Sequence, residues 1–140
     1  MNINELKDAY LNTNYTINKN LIFKEDLILN INKEANFKNA LPELKEWAFI
    51  TASNPNSNQL SKQENELRNA NLLDDIRSKG YTTHFGCGIS PDGNWSEDSF
   101  FIENVSKEEA LVYALKYEQC AFVYGKVNQV SELIWTSKCQ

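Results

Sequence analysis

The chain is poor in the residues that usually announce a chemistry: one histidine, three cysteines, three prolines and five glycines in 140 residues. A lone histidine, His84, leaves no partner for a His-based metal cluster, because zinc sites combine several His and Cys ligands. It reads instead as a strand histidine, at the surface or satisfied by a hydrogen bond. Cys87, Cys120 and Cys139 are odd in number and widely spaced, so they give neither a disulfide framework nor a Cys-x-x-Cys metal pair. They are expected to be free thiols without metal, with Cys120 buried where a helix meets an apolar strand. Glycine-rich phosphate loops, His-Glu-x-x-His pairs, Gly-x-Ser-x-Gly elbows and dinucleotide fingerprints are all missing, so no cofactor is expected. Lys and Arg number 14 against 19 Asp and Glu, for a net charge of −5. The lysines are scattered, and a binder of duplex nucleic acid needs them clustered. No apolar run approaches the roughly eighteen residues that span a bilayer. The opening Met1-Asn2-Ile3-Asn4-Glu5 lacks the basic and apolar regions of a signal peptide. The expected address is therefore the cytoplasm, with no membrane partner.

What is present describes one globular unit. A hydrophobic fraction of 41% is enough to build one real core at this length without staples. Residues 1–140 are read as a single α+β domain, a mixed and mostly antiparallel sheet of about six strands packed by three or four helices. Helices and strands mix without the strict alternation of a doubly wound sheet. A first helix runs from about Ile3 to Leu11, capped by Asn2 with Glu5 three residues on. Strand candidates follow at 15–17 and 27–31. Phe37, Ala40, Leu41 and Leu44 have helical spacing, which predicts a helix over 32–44 that Pro42 must break or restart. Trp47 to Ala52 is an unbroken apolar run and is expected to be the central strand, covered on both faces. The clearest helix runs from Lys62 to Lys79. A Ser61–Glu64 capping box opens it, Gly80 follows it, and Leu67, Ala70, Leu73 and Ile76 form its apolar stripe. Strands at 81–86 and 99–103 flank a turn over Pro91-Asp92-Gly93-Asn94. Ser106 with Glu109 starts a helix to about Glu118, with Val105 stapled onto Ala110. A closing hairpin spans 120–124 and 130–135.

The stretch richest in functional signal lies after the central strand. Ligands tend to sit beyond the carboxyl ends of strands, and there Asn54 offers two donors and an acceptor while Ser57 adds a hydroxyl. On the next helix Glu64 and Arg68 are four residues apart and share a face, with Asn65 beside them. Together they could present an acceptor, an amide and a guanidinium to one polar ligand. Their bland roles are equally definite: Glu64 closes the capping box, Glu64 and Arg68 make a helix ion pair, and Asn54-Pro55 turns the chain. A second patch surrounds Trp95, a stacking surface or a lid, with Glu97 between it and an apolar strand that would raise its pKa. Gln119, between a helix end and an apolar strand, is either a buried amide facing the same site or a cap on the helix carbonyls.

These residues carry a resemblance. Tyr15-Thr16, then Phe49-Ile50-Thr51-Ala52-x-Asn54-Pro55, then Glu64-Asn65-x-x-Arg68, resembles a bacterial family catalogued only as a domain of unknown function. Trp95-Ser96-Glu97 and Gln119-Cys120-Ala121-Phe122 match further segments of it. The likeness runs from about Tyr10 to Leu133. It departs at Ser53, where the family often has a larger residue, which leaves that position's role open. The resemblance implies a fold and a site map, not a reaction. The functional expectation is a polar pocket for a small polar or anionic molecule. Arg68 would hold negative charge, Asn54, Ser57, Asn65 and Gln119 would read polar edges, and Trp95 would stack. Glu97, or else Glu64, would be the general base if chemistry occurs. The competing expectation is a protein-interaction or inhibitor module that uses an exposed sheet edge and needs no pocket.

Overall fold

In a computed structural model the chain is described over residues 2–37 and 39–139. Among the described residues three α-helices, α1 (Ile3–Asn12), α2 (Lys62–Ser78) and α3 (Lys107–Lys116), accompany seven strands. The strands are β1 (Asn14–Ile17), β2 (Leu27–Leu29), β3 (Glu46–Ile50), β4 (Thr83–Ile89), β5 (Ser96–Glu103), β6 (Ala121–Lys126) and β7 (Glu132–Trp135). They form one sheet in the order β2-β1-β4-β5-β3-β6-β7, antiparallel at every pairing. The sheet curls into a half-barrel. The α+β reading holds, with seven strands where about six are expected.

The run in β3 is apolar throughout because both of its faces are covered, as interior strands require. Ala48 and Ile50 join one buried cluster with Leu72 and Ile76 of α2 and Ala110 and Ala114 of α3. Trp47 and Phe49 join the opposite cluster with Tyr15, Leu29, Phe101 and Val123. The Trp47 indole lies so close to β6 that a Cβ at Gly125 would meet the ring at 2.4 Å. Only a residue without a side chain fits there.

Three expectations need correction. No helix forms within the described residues of 32–44, and Lys38 of that segment lies outside them. Asn32 and Asn39 take left-handed backbone (φ 66° and 63°), which interrupts a helix. Glu34 instead bridges to Val130. The spacing still reports burial, since Leu44 is buried and Phe37, Ala40 and Leu41 pack against the core. Helix α2 exists where its caps place it, and its Ser61–Glu64 box is complete. However, its buried residues are Asn69, Leu72 and Ile76, whereas Leu67 is 65% exposed. Finally, Cys120 and Cys139 are paired as a disulfide with Cα atoms 5.1 Å apart, leaving Cys87 as the free cysteine.

Candidate functional site

Beyond the end of β3 the chain passes through Thr51-Ala52-Ser53-Asn54-Pro55 and the polar face of α2 meets it. The Asn69 side-chain oxygen accepts from the Ala52 N–H at 2.8 Å, and its Nδ2 donates to Ser53 Oγ at 2.9 Å. Asn65 pairs reciprocally with Asn54: Oδ1 accepts from the Asn54 N–H and Nδ2 donates to Asn54 Oδ1, both at 2.9 Å. Arg68 donates from Nε to the Ala52 carbonyl (2.7 Å) and from Nη2 to the Tyr117 carbonyl (2.5 Å). Gln119, buried, donates from Nε2 to the carbonyls of Ser53 (2.9 Å) and Tyr117 (3.2 Å). The polar residues of α2 thus replace a ladder that proline would interrupt.

Asn54, Asn56, Ser57 and Glu118 all hold positive φ, between 52° and 63°. Left-handed non-glycine residues are uncommon and cluster where a site over-determines the backbone.

This lattice orients one carboxyl. The Asn54 side-chain oxygen is already filled by the Leu60 N–H and Asn65 Nδ2, both at 2.9 Å. Its amide nitrogen is therefore turned outward and donates to Glu97 Oε2 at 2.7 Å. Among the described residues no hydrogen bond reaches the other oxygen of Glu97. Glu97 stands on the wall of a cavity of about 580 Å³, a volume in the range of small-molecule sites. Tyr10 and Ala9 of α1, Tyr15 of β1, Phe49 of β3, Cys120 and Val123 line it, with Trp95 also contributing. A second, more polar cleft of about 330 Å³ shares Asn54, Gln59, Trp95 and Glu97 with it and adds Lys62 and Glu66.

Burial in this wall pushes the Glu97 carboxyl up to about 7, while the Asn54 hydrogen bond works in the opposite direction. Burial likewise pushes the Tyr10 hydroxyl well above the usual tyrosine range, and the Glu97 charge adds to the effect. Burial raises Tyr15 as well, with Tyr10 and then Glu97 adding to it, and its hydroxyl donates to the Tyr10 carbonyl at 2.7 Å. A carboxyl that changes charge near neutrality can give or take a proton at physiological pH. Among the described residues no three His, Cys, Asp or Glu side chains gather as a metal site. Nor is any helix there long and apolar enough to cross a membrane.

The residues singled out from the sequence divide in two. Asn54, Ser57, Trp95, Glu97 and Gln119 meet at the larger cavity, where Ser57 Oγ also lies 3.3 Å from Cys120 Sγ. Asn65 supports Asn54 from behind. Arg68 and Glu64 do not line the cavity: Arg68 bonds backbone carbonyls, and Glu64 Oε1 accepts from Ser61 Oγ at 2.9 Å within the capping box. Sequence reasoning missed Asn69, Tyr10 and Tyr15. The signal for Asn69 is its place one helical turn beyond Asn65 on the same face. The two tyrosines lie on a helix and a strand whose partners the sequence does not name. His84 is a satisfied core histidine: Nε2 contacts Glu103 Oε2 at 2.6 Å and Nδ1 meets the Asn20 amide at 3.0 Å.

The architecture and cavity define an α+β chain with a polar-laced strand end and one carboxyl facing an apolar chamber. It belongs to the family described as "Protein of unknown function (DUF3293)", which matches residues 50–122, just over half of the chain. That match takes in Asn54, Arg68, Trp95, Glu97 and Gln119 and stops short of Tyr10 and Tyr15. No curated protein and no solved structure matches the chain.

Proposed function

We propose that the chain is a small-molecule binding domain whose ligand fills the cavity and meets Glu97, with Glu97 also placed for general acid–base work. The observation that carries this is the carboxyl itself. A carboxyl on an apolar wall is disfavoured when charged, yet a built amide lattice holds one of its oxygens, and among the described residues no hydrogen bond reaches the other. Trp95 at the shared edge of the two clefts is the stacking group. The expectation of an anionic ligand narrows, because the cavity lining contains no Lys, Arg or His among the described residues and Arg68 is committed elsewhere.

The test uses Nile red, a neutral apolar dye whose emission rises on leaving water. It should bind saturably and blue-shift with the wild-type protein. Ala9→Trp, which adds an indole to the α1 wall of the cavity, should abolish that binding while leaving the melting temperature within a few degrees. Dye binding that survives Ala9→Trp would place the ligand elsewhere and sink this reading.

A further inference from the structure

We infer that the ligand of this cavity is an organic amine: an apolar, ring-bearing body with one protonated nitrogen that docks on the free oxygen of Glu97. The inference rests on the ligand-binding reading above and supplies the class of ligand.

Three observations converge on it. The first is charge. Among the described residues of the lining Glu97 is the one Asp or Glu, and no Lys, Arg or His accompanies it. An anion would meet an unpaired carboxylate, whereas a cation would neutralise it. The second is the orientation of Asn54. With its oxygen occupied by Leu60 and Asn65, Asn54 can only donate to Glu97. A donated hydrogen bond favours the ionised carboxylate. The site is therefore arranged for an anion that the apolar wall disfavours until a cation arrives. The third is the ring content. Tyr10, Tyr15, Phe49 and Trp95 share the lining with that carboxyl, and aromatic rings attract an ammonium through cation–π interaction. A metal cation is a poor alternative, since hard cations require several oxygen ligands and Glu97 is the sole carboxylate among the described residues here.

A pH signature follows. The titratable groups around Glu97 are Tyr10 from α1, Tyr15 from β1, Cys87 from β4, its neighbour Asp98 on β5, and Lys62 and Glu66 of α2 in the second cleft. Tyr10, Tyr15 and Cys87 are each pushed upward from their ordinary values. Glu97, raised to about 7 by burial, changes charge near neutrality. An amine selects its ionised form, so amine affinity should rise from about pH 5 to about pH 8 and then level off.

The experiment compares phenethylamine with its neutral analogue phenethyl alcohol by calorimetry or ligand-observed NMR, on wild type and on Glu97→Gln. The amine should bind wild type at least ~10-fold more tightly than the alcohol at about pH 8, because a charge-assisted hydrogen bond replaces a neutral one. That advantage should shrink toward about pH 5 and vanish in Glu97→Gln, which should still take the alcohol. Equal affinities, or an advantage that Glu97→Gln leaves intact, would overturn the amine assignment and leave the cavity reading standing. Failure of amine, alcohol and Nile red alike would overturn both.

Discussion

Glu97 costs the fold something, and its position makes the cost measurable. Its carboxyl is raised to about 7, burial being the larger cause, so the folded chain holds that proton more tightly than the unfolded chain does. The sign follows from linkage. The stabilising contribution of the neutral carboxyl is complete below the unfolded-state value, near 4.3 for glutamate, and is lost as pH climbs through about 7. Glu97→Gln keeps an acceptor for Asn54 and removes the charge. At about pH 8 the variant should therefore be more stable than wild type by roughly 1–3 kcal/mol. The gap should narrow as pH falls through about 7 and close only below about pH 4, as read from denaturant melts of both proteins across that range. A gap that stays constant with pH would show that the carboxyl titrates normally. A gain in stability on replacing the ionisable carboxyl by an amide marks a residue kept for function rather than folding.

Among the elements, α2 shows what the sequence reveals and what it hides. Its capping box and following glycine locate it within a residue, because caps are local chemistry. Its rotation was not legible, because the half of α2 nearest β3 meets the sheet through Asn65, Arg68 and Asn69 rather than apolar groups. Of the expected stripe only Ile76 is buried, with Leu73 packed against the core, while the buried Leu72 lies outside it. The segment over 32–44 fails in the opposite way. Its apolar spacing correctly marks side chains that meet the core, but left-handed asparagines make it irregular. Asn54, Glu97 and Gln119 were legible because each sits where an apolar strand begins or ends. Tyr10 and Tyr15 depend on how α1 and β1 pack against the rest, which no local pattern states. Arg68 gives the element-scale test. As a helix-surface residue its loss would cost under roughly 0.5 kcal/mol. Here it joins the end of β3 to the end of α3 through the carbonyls of Ala52 and Tyr117, with Glu118 Oε1 at 3.7 Å from its Nη1. Arg68→Ala should cost roughly 2–3 kcal/mol in a melt, since both charge-assisted bonds disappear. Arg68→Lys should recover only part of it, because one ammonium cannot reproduce the planar fork. A cost under roughly 0.5 kcal/mol for Arg68→Ala would rule out that bracing role.

At the scale of the whole molecule the cavity belongs to no single segment. The family match covers residues 50–122, yet part of the wall comes from α1 and β1 before it. The end of the chain also reaches back to that wall. Cys120 lines the cavity, immediately ahead of β6, and is joined to Cys139 nineteen residues later. Thr136 reinforces the same junction, its N–H donating to the Cys120 carbonyl at 2.9 Å and its hydroxyl to the Gln119 carbonyl at 2.5 Å. The expectation of three free thiols rested on spacing, but spacing says nothing about a chain end that returns to a strand start. Closing a loop of this length stabilises a fold by about 3 kcal/mol, chiefly by restricting the unfolded chain. The oxidised protein should therefore weigh two protons less than the reduced one. Dithiothreitol, or Cys139→Ser, should lower its melting temperature by roughly 10 °C. Because Thr136 still holds the junction, the reduced protein should remain folded at room temperature and keep its Nile red site. Cys87, whose thiol burial pushes upward, should react slowly with iodoacetamide in either state. Equal masses before and after reduction, or a melting point indifferent to dithiothreitol, would mean that the chain end is held by Thr136 and its backbone contacts without the covalent link.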